Sequence, residues 1–206
     1  MSKRSVSILL LVASLFSAVN LFAQAPLLKP GEKAPVFKLK NVDGRMISFE
    51  NYPQAKGFVV VFISNSCPYS KAYEQRIINL DKKFSPLQFP VIAINSNDPE
   101  ISPRDSFSKM KEKANAKHFS FPYLCDDQQV VADLYGARST PQVFIISKNG
   151  SDYTLEYTGA IDNDTQNKNP QKINYTEDAL NALVNNNKPA INSTKAIGCS
   201  ISRKKR

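Results

Sequence analysis

The stretch that decides the fold runs from Gly57 to Lys71 and reads GFVVVFISNSCPYSK. Its first part, residues 58–63, is an unbroken run of β-branched and aromatic residues, which is typical of a strand buried on both faces. Pro68 suits the first position of a helix, and apolar residues continue at helical spacing through 84. The sequence therefore predicts a central strand that passes directly into a helix, with Cys67 at the junction.

Further elements are predicted on both sides of this unit. Strands are expected at 37–40, 45–49, 91–94, 121–125, 142–146 and 153–158, and helices at 104–117, 128–135 and up to 184. The first two strands form a hairpin around Asp43-Gly44, the third helix ends at Gly136, and Asn174 or Thr176 caps the last helix. This order is a βαβ unit followed by a ββα unit. It predicts an α/β, thioredoxin-like fold, a central mixed sheet flanked by helices with an N-terminal β-hairpin extension.

The N-terminus has the pattern of a secretory signal. Lys3 and Arg4 precede an apolar run over 8–15, and Ala23 offers a small residue for cleavage. We expect a signal peptide at 1–23, a domain at 26–187 and a polar C-terminal tail at 188–206. A cleaved signal predicts a periplasmic or secreted protein without stable membrane insertion.

Composition narrows the possible functions. Apolar residues make up 42% and charged residues 22% of the chain, proportions that exclude general disorder and a polytopic membrane protein. Part of the net charge of +9 lies at the two ends, and we expect no nucleic-acid partner. Three cysteines are too few for a disulfide framework, and with a single histidine they do not favour a metal site. We expect no metal and no other cofactor, and thiols that react selectively.

Cys67 is the candidate nucleophile. At the N-cap of a helix, unpaired amide groups and the helix dipole favour a thiolate, and Lys71 adds a cation one turn later. The sequence therefore predicts a lowered pKa for Cys67. The alternative is a buried, inert thiol.

Two distant motifs carry a family resemblance. Residues 67–74 read CPYSKAYE and residues 198–201 read GCSI, a combination that resembles a peroxiredoxin-like branch of the alkyl hydroperoxide reductase and thiol-specific antioxidant group. Residues 62–71 also resemble the thioredoxin active-site segment, with Cys67 at its first cysteine and Ser70 at its second. The stretch 135–141 is similar to the thioredoxin segment that holds a cis-proline, which would place Pro141 opposite Cys67. The resemblance implies a thiol-dependent oxidoreductase in which Cys67 reduces peroxide or exchanges with protein disulfides, and which a partner thiol protein reduces.

Departures from the family pattern leave the substrate open. Val60 stands where peroxiredoxins have proline, and Ser64 keeps only the hydroxyl of their threonine. Arg138 can polarise a peroxide, yet thioredoxins also carry arginine before their proline. A cis Thr140–Pro141 bond is expected to leave the Thr140 backbone available to an extended substrate.

The source of the second thiol is also open. Ser70 cannot supply it, so the resolving thiol is Cys199, Cys125 or a partner's cysteine. Gly198 favours a tail mobile enough to carry Cys199 to a distant site, and Ile201 offers an apolar anchor that a purely solvated tail would not need, so we expect the tail to belong to the site. The alternative is that Cys199 is free or forms a structural disulfide. Cys125 ends a core strand and is better interpreted as a structural thiol. The alternatives to a two-thiol enzyme are a non-catalytic thioredoxin-like binding module and a glutaredoxin-like monothiol transferase.

Overall fold

The computed structural model describes residues 26–205, so the predicted signal peptide lies outside the described residues. Within this range the chain forms nine strands and four α-helices. The strands are β1 (Lys38–Asn41), β2 (Met46–Ser48), β3 (Gly57–Phe62), β4 (Val91–Asn95), β5 (Tyr123–Cys125), β6 (Ser139–Thr140), β7 (Gln142–Asn149), β8 (Asp152–Gly159) and β9 (Cys199–Ser200). The helices are α1 (Pro68–Phe84), α2 (Phe107–Ala116), α3 (Val130–Tyr135) and α4 (Tyr175–Val184).

The described residues form one mixed sheet of seven strands and a small second ladder. The sheet order is β2-β1-β5-β4-β3-β7-β8, and β6 pairs with β9. Strand β4 runs parallel to both β3 and β5, whereas the hairpins β1–β2 and β7–β8 are antiparallel. The predicted thioredoxin-like α/β fold with an N-terminal hairpin is confirmed, and β3 lies inside the sheet as its apolar run requires.

Alternate residues of β3 supply two cores, one on each face of the sheet. Val59 and Val61 pack with the inner faces of α1, α2 and α4. Phe58, Val60 and Phe62 pack with the N-terminal hairpin and α3 on the other face. No helix between residues 26 and 205 combines the length and the apolar character that a membrane span requires.

The start of α2 differs from the prediction. Ser102 and Pro103 do begin a helical turn, but it is a short 3-10 helix, Pro103–Asp105, and the chain then becomes extended at Ser106. Helix α2 therefore begins at Phe107 rather than at 104. The extra turn carries Asp105 into the interior beneath the end of β3, where it is 3% exposed.

The C-terminal tail is docked on the domain, as an anchor at Ile201 implies, rather than moving freely as its polar composition and Gly198 indicate. Thr194 N–H donates to the Thr158 carbonyl, and the Tyr157 hydroxyl contacts Thr194 Oγ1. Further on, Ile201 is 5% exposed and packs in the core that contains α3. One buried apolar side chain and a series of backbone hydrogen bonds hold a segment whose composition is otherwise polar.

Candidate active site formed by two distant cysteines

Cys67 occupies the junction that the sequence predicts. It is the N-cap of α1, Pro68 is the first helical residue, and the Ser70 N–H donates to Cys67 Sγ at 3.4 Å. The thiol also lies 2.9 Å from the Thr140 carbonyl oxygen, and the whole residue is 2% exposed. The Thr140–Pro141 peptide bond is cis, which confirms the prediction for this loop.

Cys199 covers Cys67. Strand β9 pairs antiparallel with β6, and this register sets Cys199 opposite Thr140. The two sulfurs are unbonded and 2.6 Å apart, although 132 positions separate them in the sequence. The backbone beside Pro141 is thus occupied by the chain's own tail, and the expectation that it is left available to an extended substrate is wrong.

Gly198 is required for this close approach. A Cβ atom added to Gly198 would meet the Thr140 carbonyl oxygen and would lie 2.6 Å from the Thr140 carbonyl carbon. These are backbone atoms and cannot rotate away. Gly198 therefore acts through close packing against β6 rather than through the chain mobility that the sequence indicated.

The two thiols have opposite pKa shifts. Burial acts to raise the pKa of Cys67, but hydrogen bonds from Cys199 and from the Ser70 N–H outweigh it, and the pKa is lowered as predicted. The pKa of Cys199 is raised to about 11, first by burial and then by its hydrogen bond to Cys67 and the charge on that sulfur. The first proton of the pair therefore leaves Cys67, and the remaining proton is held on Cys199.

A buried carboxylate organises the loop that precedes Cys67. Asp105 accepts hydrogen bonds from the Ser64 and Ser66 hydroxyls and from the Asn65 N–H. It also accepts from the side-chain amides of Asn95 at 2.8 Å and Asn97 at 3.0 Å. Burial acts to raise the pKa of Asp105, but these donors outweigh it and the pKa is lowered, so the group is a carboxylate at neutral pH.

The sequence prediction missed Asp105, Asn95 and Asn97. A signal was present, because the polar run 95–98 begins at the last residue of β4, and the carboxyl ends of the parallel strands β3 and β4 meet at the same edge of the sheet. Asp105 had no comparable signal, since it lies in a turn that the sequence assigned to α2.

Of the other predicted residues, Ser64 and Ser70 are buried and form hydrogen bonds at the loop that leads into Cys67, whereas Lys71 and Arg138 are exposed. The Ser64 hydroxyl donates to Asp105 and accepts from the Cys67 N–H at 3.2 Å, and the buried Ser70 hydroxyl accepts from the Ser64 N–H. Lys71 is exposed, and in the described part of the chain its ammonium has no hydrogen bond or ion pair with the thiol. Arg138 has an exposed side chain and binds the tail through its backbone, where its carbonyl accepts from the Ile201 N–H.

Cys125 is not part of the thiol pair. It ends β5, with β4 between that strand and β3. Burial, followed by the charge of Asp127, raises the pKa of its thiol. Across residues 26–205, no cluster of three or more cysteine, histidine, aspartate or glutamate residues has the arrangement of a metal site.

Fold and site together define a thioredoxin-like protein with an activated cysteine at a helix N-terminus. The sequence profile of the AhpC/TSA family matches residues 30–151, and the chain belongs to that family. It is 27% identical over 131 residues to the thiol-disulfide oxidoreductase ResA of Halalkalibacterium halodurans, which covers 64% of this chain and 70% of that protein.

Solved structures support the same fold. An uncharacterised conserved protein from Geobacillus kaustophilus is 32% identical, with a TM-score of 0.79 over 88% of this chain and 96% of that one. A thiol:disulfide interchange protein of the thioredoxin family from Chlorobium tepidum is 17% identical, with a TM-score of 0.52 over 62% of this chain and 84% of that one. The second likeness bears on the fold alone.

Proposed function

We propose that this protein is a thiol-disulfide oxidoreductase whose working pair is Cys67 and Cys199. The observation that carries the proposal is the direct contact between the two sulfurs, which lie 2.6 Å apart. Membership of the AhpC/TSA family and similarity to proteins named thiol-disulfide oxidoreductase support the same reaction class. The substrate is a disulfide of a partner protein in one direction and a partner dithiol in the other.

Reduction of a substrate disulfide proceeds in two exchanges. The Cys67 thiolate attacks one substrate sulfur, the substrate S–S bond breaks, and the released thiolate takes up a proton. Cys199 then loses its proton and attacks Cys67 Sγ, which releases the second substrate thiol. Two electrons pass from the pair to the substrate, one of the two protons comes from Cys199 and the other from solvent, and the protein keeps a Cys67–Cys199 disulfide that a partner dithiol reduces again.

The pKa asymmetry of the pair fits this order of events. While Cys67 is a thiolate, its charge and hydrogen bond help to hold the pKa of Cys199 at about 11. Once Cys67 is bonded to substrate sulfur, that charge is gone, and only burial and the charge of Asp105 still raise the pKa of Cys199. Cys199 thus stays protonated while Cys67 attacks and becomes easier to ionise when its own attack is due.

Disulfide exchange fits the site better than peroxide reduction. The position that holds threonine in peroxiredoxins is Ser64, and its hydroxyl faces the Asp105 carboxylate. Cys199 lies in contact with Cys67 and supplies the nearby thiol that a monothiol transferase lacks. A non-catalytic binding module would have no use for two thiols with opposite pKa shifts in contact.

The location and the domain limits are parts of the same proposal. The signal-like residues 1–23 favour release into the periplasm or the medium, where oxidising conditions give a thiol-disulfide enzyme its substrates. The contacts of Thr194, Cys199 and Ile201 favour a single functional domain that includes the tail, rather than one that ends at residue 187.

Peptide mapping tests the pairing. The reduced protein is treated with one equivalent of glutathione disulfide, alkylated and digested without reduction. We expect a peptide pair joined through Cys67 and Cys199, glutathione retained on Cys67 in the Cys199→Ser variant, and wild-type behaviour in Cys125→Ser. An unreacted Cys67, or Cys199 bonded to Cys125, would refute the proposal. A parallel reaction with one equivalent of hydrogen peroxide that oxidises Cys67 faster than the disulfide does would assign a thiol peroxidase instead.

A further inference from the structure

The polar cluster beneath the thiols, formed by Ser64, Asn65, Ser66, Asn95, Asn97 and Asp105, contacts both segments that carry a cysteine. On one side, Asp105 accepts hydrogen bonds from each of the residues 64–66, which lead directly into Cys67. These bonds fix the loop through both its side chains and its backbone. The orientation of Cys67 at the end of β3 therefore depends on one carboxylate.

On the other side, the cluster reaches the tail through Asn97. The Asn97 side-chain N–H₂ donates to Asp105 and to the Ser64 hydroxyl, both at 3.0 Å. Its amide oxygen accepts from the Ser202 N–H at 2.9 Å, and the neighbouring Asp98 N–H donates to the Ser202 carbonyl at 2.9 Å. Ser202 lies three residues after Cys199, so the cluster also fixes the strand that presents the second sulfur.

Burial of the Asp105 carboxylate costs free energy, because the charged group loses its hydration. Within residues 26–205 Asp105 forms no ion pair, and a buried carboxylate without a cation is tolerated only when hydrogen bonds compensate its lost hydration. Here the compensating donors come from the Cys67 loop and from the β4 end that holds the tail. A carboxylate that served only stability could accept hydrogen bonds from any neighbouring segment, whereas the donors to Asp105 lie in the two segments that position Cys67 and the tail.

We propose that Asp105 is a positioning residue that holds Cys199 within reach of Cys67 for the second exchange step. This inference rests on the proposed function, because it concerns the step in which the pair closes. Asp105 forms no hydrogen bond with either sulfur and holds the two cysteines in place through the 64–66 loop and through Asn97. Its charge also helps to raise the pKa of Cys199, so loss of that charge would by itself favour the second step.

The two exchange steps can be timed separately with the aromatic disulfide dithiobis(nitrobenzoic acid) in a Cys125→Ser background. In the first step Cys67 displaces one coloured nitrobenzoate thiolate and keeps the other as a mixed disulfide. In the second step Cys199 loses its proton to solvent, attacks Cys67 Sγ and releases the second coloured thiolate. At one fixed excess of the reagent, the rate of the second phase divided by that of the first reports how well Cys199 is positioned relative to the reactivity of Cys67.

Asp105→Asn is expected to slow the second phase relative to the first by at least about tenfold, since hydrogen bonds to charged groups are the stronger ones. The matched control is Asp81→Asn, which alters a buried carboxylate at the far end of α1 that accepts from the Val91 N–H and the Ser120 hydroxyl. If Asp105 were merely structural, its replacement would lower the melting temperature, as we expect for Asp81→Asn, and would leave the ratio of the phases unchanged.

Ser66→Ala keeps the test decisive if Asp105→Asn does not fold. It removes one half-buried donor to Asp105 and is expected to slow the second phase by a few-fold. An unchanged ratio in a folded variant, or an equal slowing of both phases, would overturn the positioning role. A wild-type protein without any second phase would instead refute the Cys67–Cys199 pair itself, so the two failures are distinguishable.

Discussion

Replacing Gly198 by alanine separates the two cysteines without touching either. The added Cβ would lie 2.6 Å from the Thr140 carbonyl carbon and closer still to the carbonyl oxygen, whereas ordinary contact begins at 3.4 Å, so the tail must recede by at least 0.8 Å. Strand β6 cannot yield instead, because the atoms that the Cβ meets belong to its backbone. We therefore expect the β6–β9 ladder to loosen and Cys199 to leave its contact with Cys67.

The size of the effect follows from the contacts at risk. One or two backbone hydrogen bonds at about 1 kcal/mol each, out of those that hold β9, correspond to roughly a 5-fold to 30-fold loss in the stability of the Cys67–Cys199 disulfide. The core of the domain, built on β3 and β7, is not involved. Unfolding of the reduced protein should change much less than the disulfide equilibrium does.

The assay is equilibration in glutathione redox buffers, followed by acid quenching, alkylation and mass analysis of the reduced and disulfide forms. The matched control is Ile197→Ala, one residue away on the same tail, whose side chain is 53% exposed. Gly198→Ala should require a more oxidising buffer to form the disulfide, and the control should follow the wild type. A disulfide equilibrium that is identical in Gly198→Ala and in the wild type would refute the role of close packing at Thr140.

Three further outcomes are expected. In a Cys125→Ser background, Cys199→Ala should raise the pKa of Cys67, measured by thiolate absorbance, because it removes a hydrogen-bond donor. Cys199→Ser keeps a donor and should preserve the lowered value; equal values in both variants would exclude this cause. Ile201→Ala should expose the tail to hydrogen exchange more than it exposes β4, because the truncated side chain anchors only the tail; uniform loss of protection would contradict this. The folded pKa of Asp105 is depressed below 3.8, so its contribution to stability is present above that pH and lost as the pH falls through the folded value. The melting temperature should therefore fall less steeply between pH 7 and pH 2 in Asp105→Asn than in the wild type. Parallel curves of melting temperature against pH would contradict this contribution of Asp105.

Much of the fold could be read from local patterns. The side chains of the apolar run 58–63 can be buried on both sides only if the run is an inner strand of a sheet, and it forms β3 with both faces covered. The position of Cys67 followed from the same pattern, since a strand that ends just before Cys67-Pro68 places the thiol at a helix N-terminus. Both inferences depend on residues that are adjacent in sequence.

Most of the contacts between segments that are distant in sequence could not be predicted. The tail sequence indicated Cys199 as a candidate resolving thiol and Ile201 as an apolar anchor, but it did not show that Ile201 packs in the core beside α3. The Asp105 cluster joins three segments, namely the 64–66 loop, the end of β4 with the residues that follow it, and the turn Pro103–Asp105. Sequence patterns indicate which residues a few positions apart share a face of a helix or strand. They do not indicate which distant backbone segment a glycine such as Gly198 packs against.

A second thiol on a docked strand, rather than one helical turn after the first, links tail docking to redox state. The free energy by which docking of β9 favours the Cys67–Cys199 disulfide must equal the free energy by which the disulfide favours docking, because the two equilibria share one thermodynamic cycle. Weakening the anchor at Ile201 and enlarging Gly198 act on different contacts of the same strand. Both changes should therefore destabilise the disulfide, and oxidation should in turn restore part of the docking that each of them removes.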